Sequence, residues 1–365
     1  METKIIKIEN LTEQAADLMA AGDIIRAGGL VAFPTETVYG LGANGLDAAA
    51  CAAIYAAKGR PSDNPLILHV ADRGMVDSIA AEVTPMAEKL LAAFCPGPIT
   101  LILPKKLIVP ERITGGLDTV GIRMPEDDMA RALIRAAGVP IAAPSANISG
   151  RPSPTTAALV YRDMAGRIPL ILDGGPCTFG VESTIVDCSG KTAVILRPGA
   201  VTREMIKEVL GSVELDPALV GEGTVPRAPG MKYTHYAPKA PLTLLEGASS
   251  AMAPAFRREI TKRQLLGHVV GVIVSREVAA AIADLLPAEL IAVYGRQDDL
   301  PSIAAHLYEA LRSFDLKPAD CLLAEGTTEA GLGLAIMNRL HKASGFKTIS
   351  AGLSQPARLN SSTTK

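Results

Sequence analysis

Short apolar runs with strand character alternate with helix-like segments along most of this chain, and glycine or proline stands at almost every junction. "TKIIKI" leads into a periodic segment from about Thr12 to Ala27, which Gly28 and Gly29 stop. "LVAF", "LILHV", "ITLIL", "TVGIRM", "PIAAP", "PLIL", "STIVD" and "AVILR" read as strands, with helices at "DAAACAAIYAAKG", after Thr84-Pro85, near 127–137 and near 155–164. Such alternation predicts an α/β domain ending near residue 215. The stretch "PALVGEGTVPRAPGMKYTHYAPKAP" has no usable periodicity and predicts a linker over about 217–240. The βαβ rhythm then resumes at "LTLLEG" with "HVVGVIV", "LIAVYG" and "CLLAEG", which predicts a smaller, parallel, Rossmann-like α/β domain over 241–350. Residues 351–365 read as a disordered tail. The 365 residues, 48% apolar, suit two domains with their own cores.

Charge excludes one class of function. The formal net charge is −2, and neither half is strongly basic, so stable nucleic-acid binding is not expected. A small polyanion met by a local cluster is. Five scattered cysteines form no CxxC pair or Cys/His quartet, which argues for reduced thiols, a cytosolic protein and no zinc site. The start "METKIIKIEN" has no signal-peptide h-region, and no 18-residue apolar run suggests a membrane span. Two motif-like strings carry little. "GLGANG" at 40–45 does not directly follow a strand, as a dinucleotide fingerprint must. "GKT" at 190–192 lacks the first glycine of a P-loop and reads as a hairpin turn.

Chemistry concentrates in four loops at strand ends: "PTETVYG", "KGRPSDNP", "PSANISGRPSP" and "RPG" at 197–199. Ligands of open α/β sheets gather there. Lys58 and Arg60 can set a point charge and a planar fork on neighbouring anionic oxygens. Ser145, Asn147 and Ser153 offer neutral donors to phosphate or ribose, while Arg123 and Arg197 add forks from other strands. Together they suit a triphosphate and a carboxylate. Each has a plainer reading: KGR as a solvated helix end, Thr35, Thr37 and the serines as turn formers, and His69 as a core histidine. A double-stranded RNA or tRNA binder using the KGR region as a basic patch is the competing class; the balanced charge opposes it.

Taken jointly, "FPTETVYGLG", "KGRPSDNPLILH", "CPGPITLIL", "TVGIRMP", "APSANISGRPSPT", "GVESTIVD" and "LRPG" resemble the threonylcarbamoyl-AMP synthase family, over about residues 10–210 and in the right order. "PGMKYTHYAP" and the second domain resemble its two-domain branch. The resemblance implies a YrdC-like twisted mixed sheet with flanking helices over 1–216, followed by the Rossmann-like domain. It implies synthesis of L-threonylcarbamoyladenylate from L-threonine, bicarbonate or CO2, and ATP, with release of pyrophosphate. Downstream threonylcarbamoyl-transfer proteins would then act on tRNA beside the anticodon. Magnesium is expected with ATP, held by phosphates and water rather than by a protein cage.

Carried over residue by residue, the resemblance places Lys58, Arg60, Asn64, Thr119, Ser145, Ser153 and Arg197 around ATP, with Asn147 completing an SxN motif. It places Thr35, Thr37, His69, Arg123, Ala143 and Ser183 around threonine. Lys58 and Arg60 would stabilise charge growing on the phosphates. A carbamate formed on the threonine amine would attack the α-phosphorus; a carboxyphosphate route and the identity of the base stay open. The linker is expected to fold back as a lid, with His235 and Tyr236 against the nucleotide, Lys232 near its phosphates, and Pro229 and Pro238 stiffening the ends. In the second domain only "GLGLAIMNRLHKAS" stands out, as an amphipathic helix expected to face the core.

Overall fold

The computed structural model describes residues 1–219 and 236–352. The chain opens with β1 (Lys4–Lys7), α1 (Ala15–Arg26), β2 (Val31–Phe33), β3 (Gly40–Asn44) and α2 (Ala48–Lys58). Next come β4 (Ile67–His69), α3 (Arg73–Ile79), α4 (Pro85–Phe94), β5 (Ile99–Pro104), α5 (Glu111–Thr114) and β6 (Thr119–Arg123). They are followed by α6 (Asp128–Ala137), β7 (Ile141–Ala142), α7 (Ala157–Met164), β8 (Leu170–Asp173), β9 (Thr184–Asp187), β10 (Val194–Arg197), α8 (Arg203–Leu210) and β11 (Glu214–Leu215). These strands make one mixed sheet in the order β1-β8-β2-β3-β7-β4-β6-β5-β9-β10-β11.

Helix starts follow their sequence signals. The carboxylate of Asp47 accepts from the amides of Ala49 and Ala50, and Thr84 caps Ala87 ahead of Pro85. Gly59 ends α2 at φ 60°, where a side chain would be strained. That turn matters, because it separates Lys58 from Arg60. "GLGANG" is no phosphate loop: its glycines form β3, antiparallel to β2 and β7. A Cβ on Gly42 would come within 2.8 Å of Ile141 Cγ2 and 2.9 Å of the Phe33 ring, so crowding between β2 and β7 requires glycine there. "GKT" lies in the connection between the antiparallel strands β9 and β10.

The second sheet contains β12 (Leu242–Glu246), β13 (Val270–Ser275), β14 (Ile291–Gly295), β15 (Cys321–Glu325) and β16 (Thr348–Ser350), all parallel, in the order β14-β13-β15-β12-β16. It is flanked by α9 (Ser249–Leu265), α10 (Arg276–Ile282), α11 (Leu300–Ser313) and α12 (Gly333–Ser344). Order runs past the expected start of the tail: Ala351 is buried and its amide donates to Glu246 O at 2.6 Å, while residues 353–365 lie outside the described region. Of the expected lid, Lys232, His235 and Pro229 also lie outside it. No helix among the described residues is long and apolar enough to cross a membrane.

The two sheets are not beads on a string. Val38 and Val181 of the first domain belong to the apolar cluster that holds Leu307, Tyr308, Ile336 and Leu340 of the second. At Gly180 (φ 70°) an added Cβ would stand 2.4 Å from Ala304 O and 2.5 Å from Ala305 Cα, so α11 rests directly on the backbone there.

Candidate active site

A cavity opens where the loops after β2, α2, β7 and β10 converge. Thr35, Lys58, Arg60, His69, Arg123, Ala143, Ser145, Asn147, Ser153, Ser183, Arg197 and Tyr236 all line it. Of the other residues singled out from the sequence, Thr37 is fully buried behind Thr35, with 2.8 Å between their hydroxyl oxygens. Asn64 is buried, and its carbonyl accepts from the Tyr55 hydroxyl at 3.0 Å. Thr119 sits at the far end of β6 from Arg123, roughly 13 Å away at 3.3 Å per residue. None of these three is in the cavity wall. His235 lies outside the described residues.

One end of the cavity is built around Arg123. Its Nη2 lies 2.7 Å from Glu36 Oε1 and 3.4 Å from the Thr35 hydroxyl, and both charged side chains are only 5% exposed. The pair is off the line a hydrogen bond needs, so both Glu36 oxygens and Arg123 Nε remain without a hydrogen-bond partner. Beside them His69, paired in register with Arg123, is buried with its Nδ1 unpartnered. Burial, then the Arg123 charge, pushes the imidazole down to about 3, so it is neutral at physiological pH.

The other end is a tied loop system. Lys58, 1% exposed, donates through Nζ to the carbonyls of Ser145 and Asn147, the latter at 2.7 Å. Burial, then the neighbouring Arg60 charge, holds its ammonium well below the ordinary lysine value. The sequence reading puts this ammonium on phosphate. In this structure it lines the cavity and ties the SxN loop to the end of α2. Arg60 reaches Pro65 O at 3.2 Å, and its Nε has no partner. Ser145 donates to Asn147 Oδ1 at 2.5 Å, and Asn147 Nδ2 to Arg151 O at 2.8 Å. Arg197 donates to the carbonyl and hydroxyl of Ser183 at 3.0 and 3.1 Å. Gly199 lets that loop close, because a Cβ there would meet Thr184 N at 2.4 Å.

Glu182, which sequence reasoning passed over, and Tyr236, expected against the nucleotide, complete the wall. Glu182 accepts from the Ser153 hydroxyl at 2.6 Å, from the Tyr308 hydroxyl at 2.8 Å and from Arg339 Nε at 3.0 Å. Burial opposes its ionisation, but the charges of Arg339 and Arg197 and the two hydroxyl donors outweigh it and hold it at about 2. Tyr236 is 4% exposed and stacks on Tyr308 at 5.2 Å; the amide after it, of Ala237, donates to Gly150 O.

The comparisons with known proteins meet this geometry. The threonylcarbamoyl-AMP synthase of Bacillus subtilis is 46% identical over 93% of this chain and 96% of its own length. The chain belongs to the threonylcarbamoyl-AMP synthase family. A relative of that name from Pyrococcus abyssi is 47% identical over 95% of this chain and 99% of its own. The solved Sua5 structure from that organism, complexed with L-threonine, matches with a TM-score of 0.90 at 46% identity, covering 95% of this chain and 99% of the other. A family profile described as telomere recombination covers residues 23–199, and the threonylcarbamoyl-AMP synthase C-terminal domain covers 201–345. The family's mixed sheet and its parallel C-terminal sheet are thus both present, as the sequence implied. Glu36 and Glu182 were within reach of that reading: each sits inside a quoted family string, "PTET" and "GVEST". Their partners are what the sequence conceals, since Tyr308 and Arg339 lie 126 and 157 residues after Glu182.

Proposed function

We propose that the chain makes L-threonylcarbamoyladenylate from L-threonine, bicarbonate or CO2, and ATP, releasing pyrophosphate, as the first step of tRNA threonylcarbamoyladenosine formation. One observation carries the assignment of sites. Among the described residues, six buried side-chain polar atoms lack a hydrogen-bond partner, and three of them belong to Arg60, His69 and Arg123, all on one cavity. Two more belong to Glu36, against Arg123. Buried polar groups are normally satisfied, so a cluster of deficits marks where a polar ligand completes the structure.

Arg123 offers the fork for the threonine carboxylate. The neutral His69 offers Nδ1 as acceptor for the threonine hydroxyl, and the small Ala143 leaves room beside them. Arg60 and Arg197 face the phosphates and stabilise charge that grows as pyrophosphate leaves. Ser145, Asn147 and Ser153 shape the loop against the nucleotide. Lys58 acts first as the tie that holds this loop. A carbamate decays in water, and burial of the threonine end keeps water from it.

Glu182 is already taken by three donors, and among the described residues no three His, Cys, Asp or Glu side chains converge as a metal site. Magnesium is proposed as the counter-ion of ATP, on phosphate oxygens and water. The product would pass to the proteins that transfer the threonylcarbamoyl group to tRNA. The test is pyrophosphate release with each substrate omitted in turn, and mass detection of the adenylate. Release that does not depend on threonine and bicarbonate overturns the reading.

A further inference from the structure

The C-terminal domain sends three polar side chains into the seam behind the cavity, two of them charged and nearly sealed from water. From α11, Arg312 (2% exposed) donates to Pro152 O at 2.6 Å and to the Asp163 carboxylate at 2.6 Å. This contact holds the residue before Ser153. Tyr308, on the same helix, puts its hydroxyl on Glu182 and its ring on Tyr236. From α12, the helix in "GLGLAIMNRLHKAS", comes Arg339, which is fully buried. Its Nε donates to Glu182 Oε2 at 3.0 Å and its Nη1 to Pro198 O at 2.7 Å. One planar group thus spans two loops. Glu182 precedes Ser183, Pro198 follows Arg197, and Arg197 itself is bonded to Ser183.

A seam that only glues domains together needs apolar area, and this one has it in Val38, Val181, Leu307 and Leu340. Burying a guanidinium as well is costly unless its geometry is used. Here each arm of Arg339 ends on a residue adjacent to one that lines the cavity.

We propose that Arg339 is a positioning residue of the nucleotide pocket: acting from the second domain through Glu182 and the Pro198 carbonyl, it fixes the loops that carry Ser183 and Arg197. This rests on the reading of the cavity as the nucleotide site. The second domain is then part of the pocket wall, not an accessory to it.

The test uses the full chain and measures affinity for a non-hydrolysable ATP analogue by calorimetry, beside ATP kinetics, in Arg339→Met, Arg339→Lys, Tyr308→Phe and Arg60→Ala. A variant that merely unfolds some molecules loses kcat in proportion and keeps its Kd and KM. A positioning residue changes Kd. Arg339→Met is expected to weaken the analogue by at least about tenfold, the factor that 1.4 kcal/mol represents. Arg339→Lys keeps the charge beside Glu182 but not the second arm, and is expected to fall between Met and wild type. Tyr308→Phe keeps the ring stack and removes one donor from Glu182, for a loss of roughly two- to tenfold. Arg339→Met within twofold of wild-type affinity, with any deficit confined to kcat, overturns the proposal. Should that variant not fold, unchanged affinity in Tyr308→Phe overturns it equally. Arg60→Ala separates the two levels. If it binds the analogue normally, the nucleotide assignment itself is wrong and the inference falls with it. If it binds weakly while the Arg339 and Tyr308 variants bind normally, only the inference fails.

Discussion

His69 gives a prediction whose size follows from the structure. Its imidazole is buried on the strand next to Arg123, with a native pKa of about 3 against 6.5 as the ordinary value. At 1.36 kcal/mol per pH unit, that gap corresponds to about 5 kcal/mol between charged and neutral forms. For a base whose native pKa is lowered, the unfolded chain takes up the proton first, so acid favours unfolding. The stability is whole above about pH 6.5 and declines as pH falls toward 3. Between pH 7 and pH 5 the unfolded histidine gains about 0.7 of a proton that the native one refuses, which removes about 2 kcal/mol. Two measurements check this. The His69 imidazole resonance, followed from pH 7 to pH 5 in the folded protein, is expected to stay that of the neutral ring. Denaturant unfolding at the two pH values is expected to show a loss about 2 kcal/mol larger for wild type than for His69→Gln. A folded protein in which His69 titrates near 6.5 refutes the reasoning, and with it the role of Nδ1 as a standing acceptor.

Other outcomes follow from the same site. Arg123→Gln is expected to cost about 3–5 kcal/mol of stability by stranding buried Glu36; adding Glu36→Gln restores most of the stability but not threonine affinity, and calorimetry showing normal threonine binding in the double variant counts against the carboxylate assignment. Serine, short of one methyl worth about 1–3 kcal/mol, is expected to turn over poorly, and valine, which leaves the hydroxyl-reading groups unpaired, to be rejected; equal pyrophosphate release with valine shows that no hydroxyl is read. Gly180→Ala places a Cβ against the α11 backbone at a φ that costs a side chain about 1–2 kcal/mol, so a lowered Tm with weakened nucleotide binding is expected, and an unchanged Tm removes the case for a tight seam.

Local chemistry was legible where it is local. Asp47 and Thr84 announce helix starts because a cap needs only its own next three residues. Gly59 announces the end of α2 for the same reason. Strand β3 was hidden because glycine lowers strand propensity, and what favours it is crowding by Ile141 and Phe33 from the neighbouring strands. The polar loops at strand ends did converge on one cavity, but who holds whom was not legible. Lys58 reads as a phosphate ligand in one dimension; its ties to the carbonyls of residues 145 and 147 show only in three. Arg339 was hidden by its own helix. Among Ile336, Leu340 and Ala343 it sits on an inward face, as the core-facing reading requires, yet a sequence cannot tell a buried arginine with a carboxylate waiting from one that reaches back to water.

The position of Arg339 also sets an order of events during synthesis. Translation completes the eleven-stranded sheet by Leu215, with every part of the cavity lining but Tyr236 already made. The groups that satisfy Glu182 from behind, at 308 and 339, emerge last. At 5–20 residues per second the ribosome needs roughly 6–25 s to travel from Leu215 to Arg339. Through that interval the nascent first domain holds a carboxylate deprived of its guanidinium and tyrosine partners, and the wall around Ser183 and Arg197 has no backing. Maturation of the pocket is therefore timed by synthesis of the second domain, not by the end of the domain that contains it.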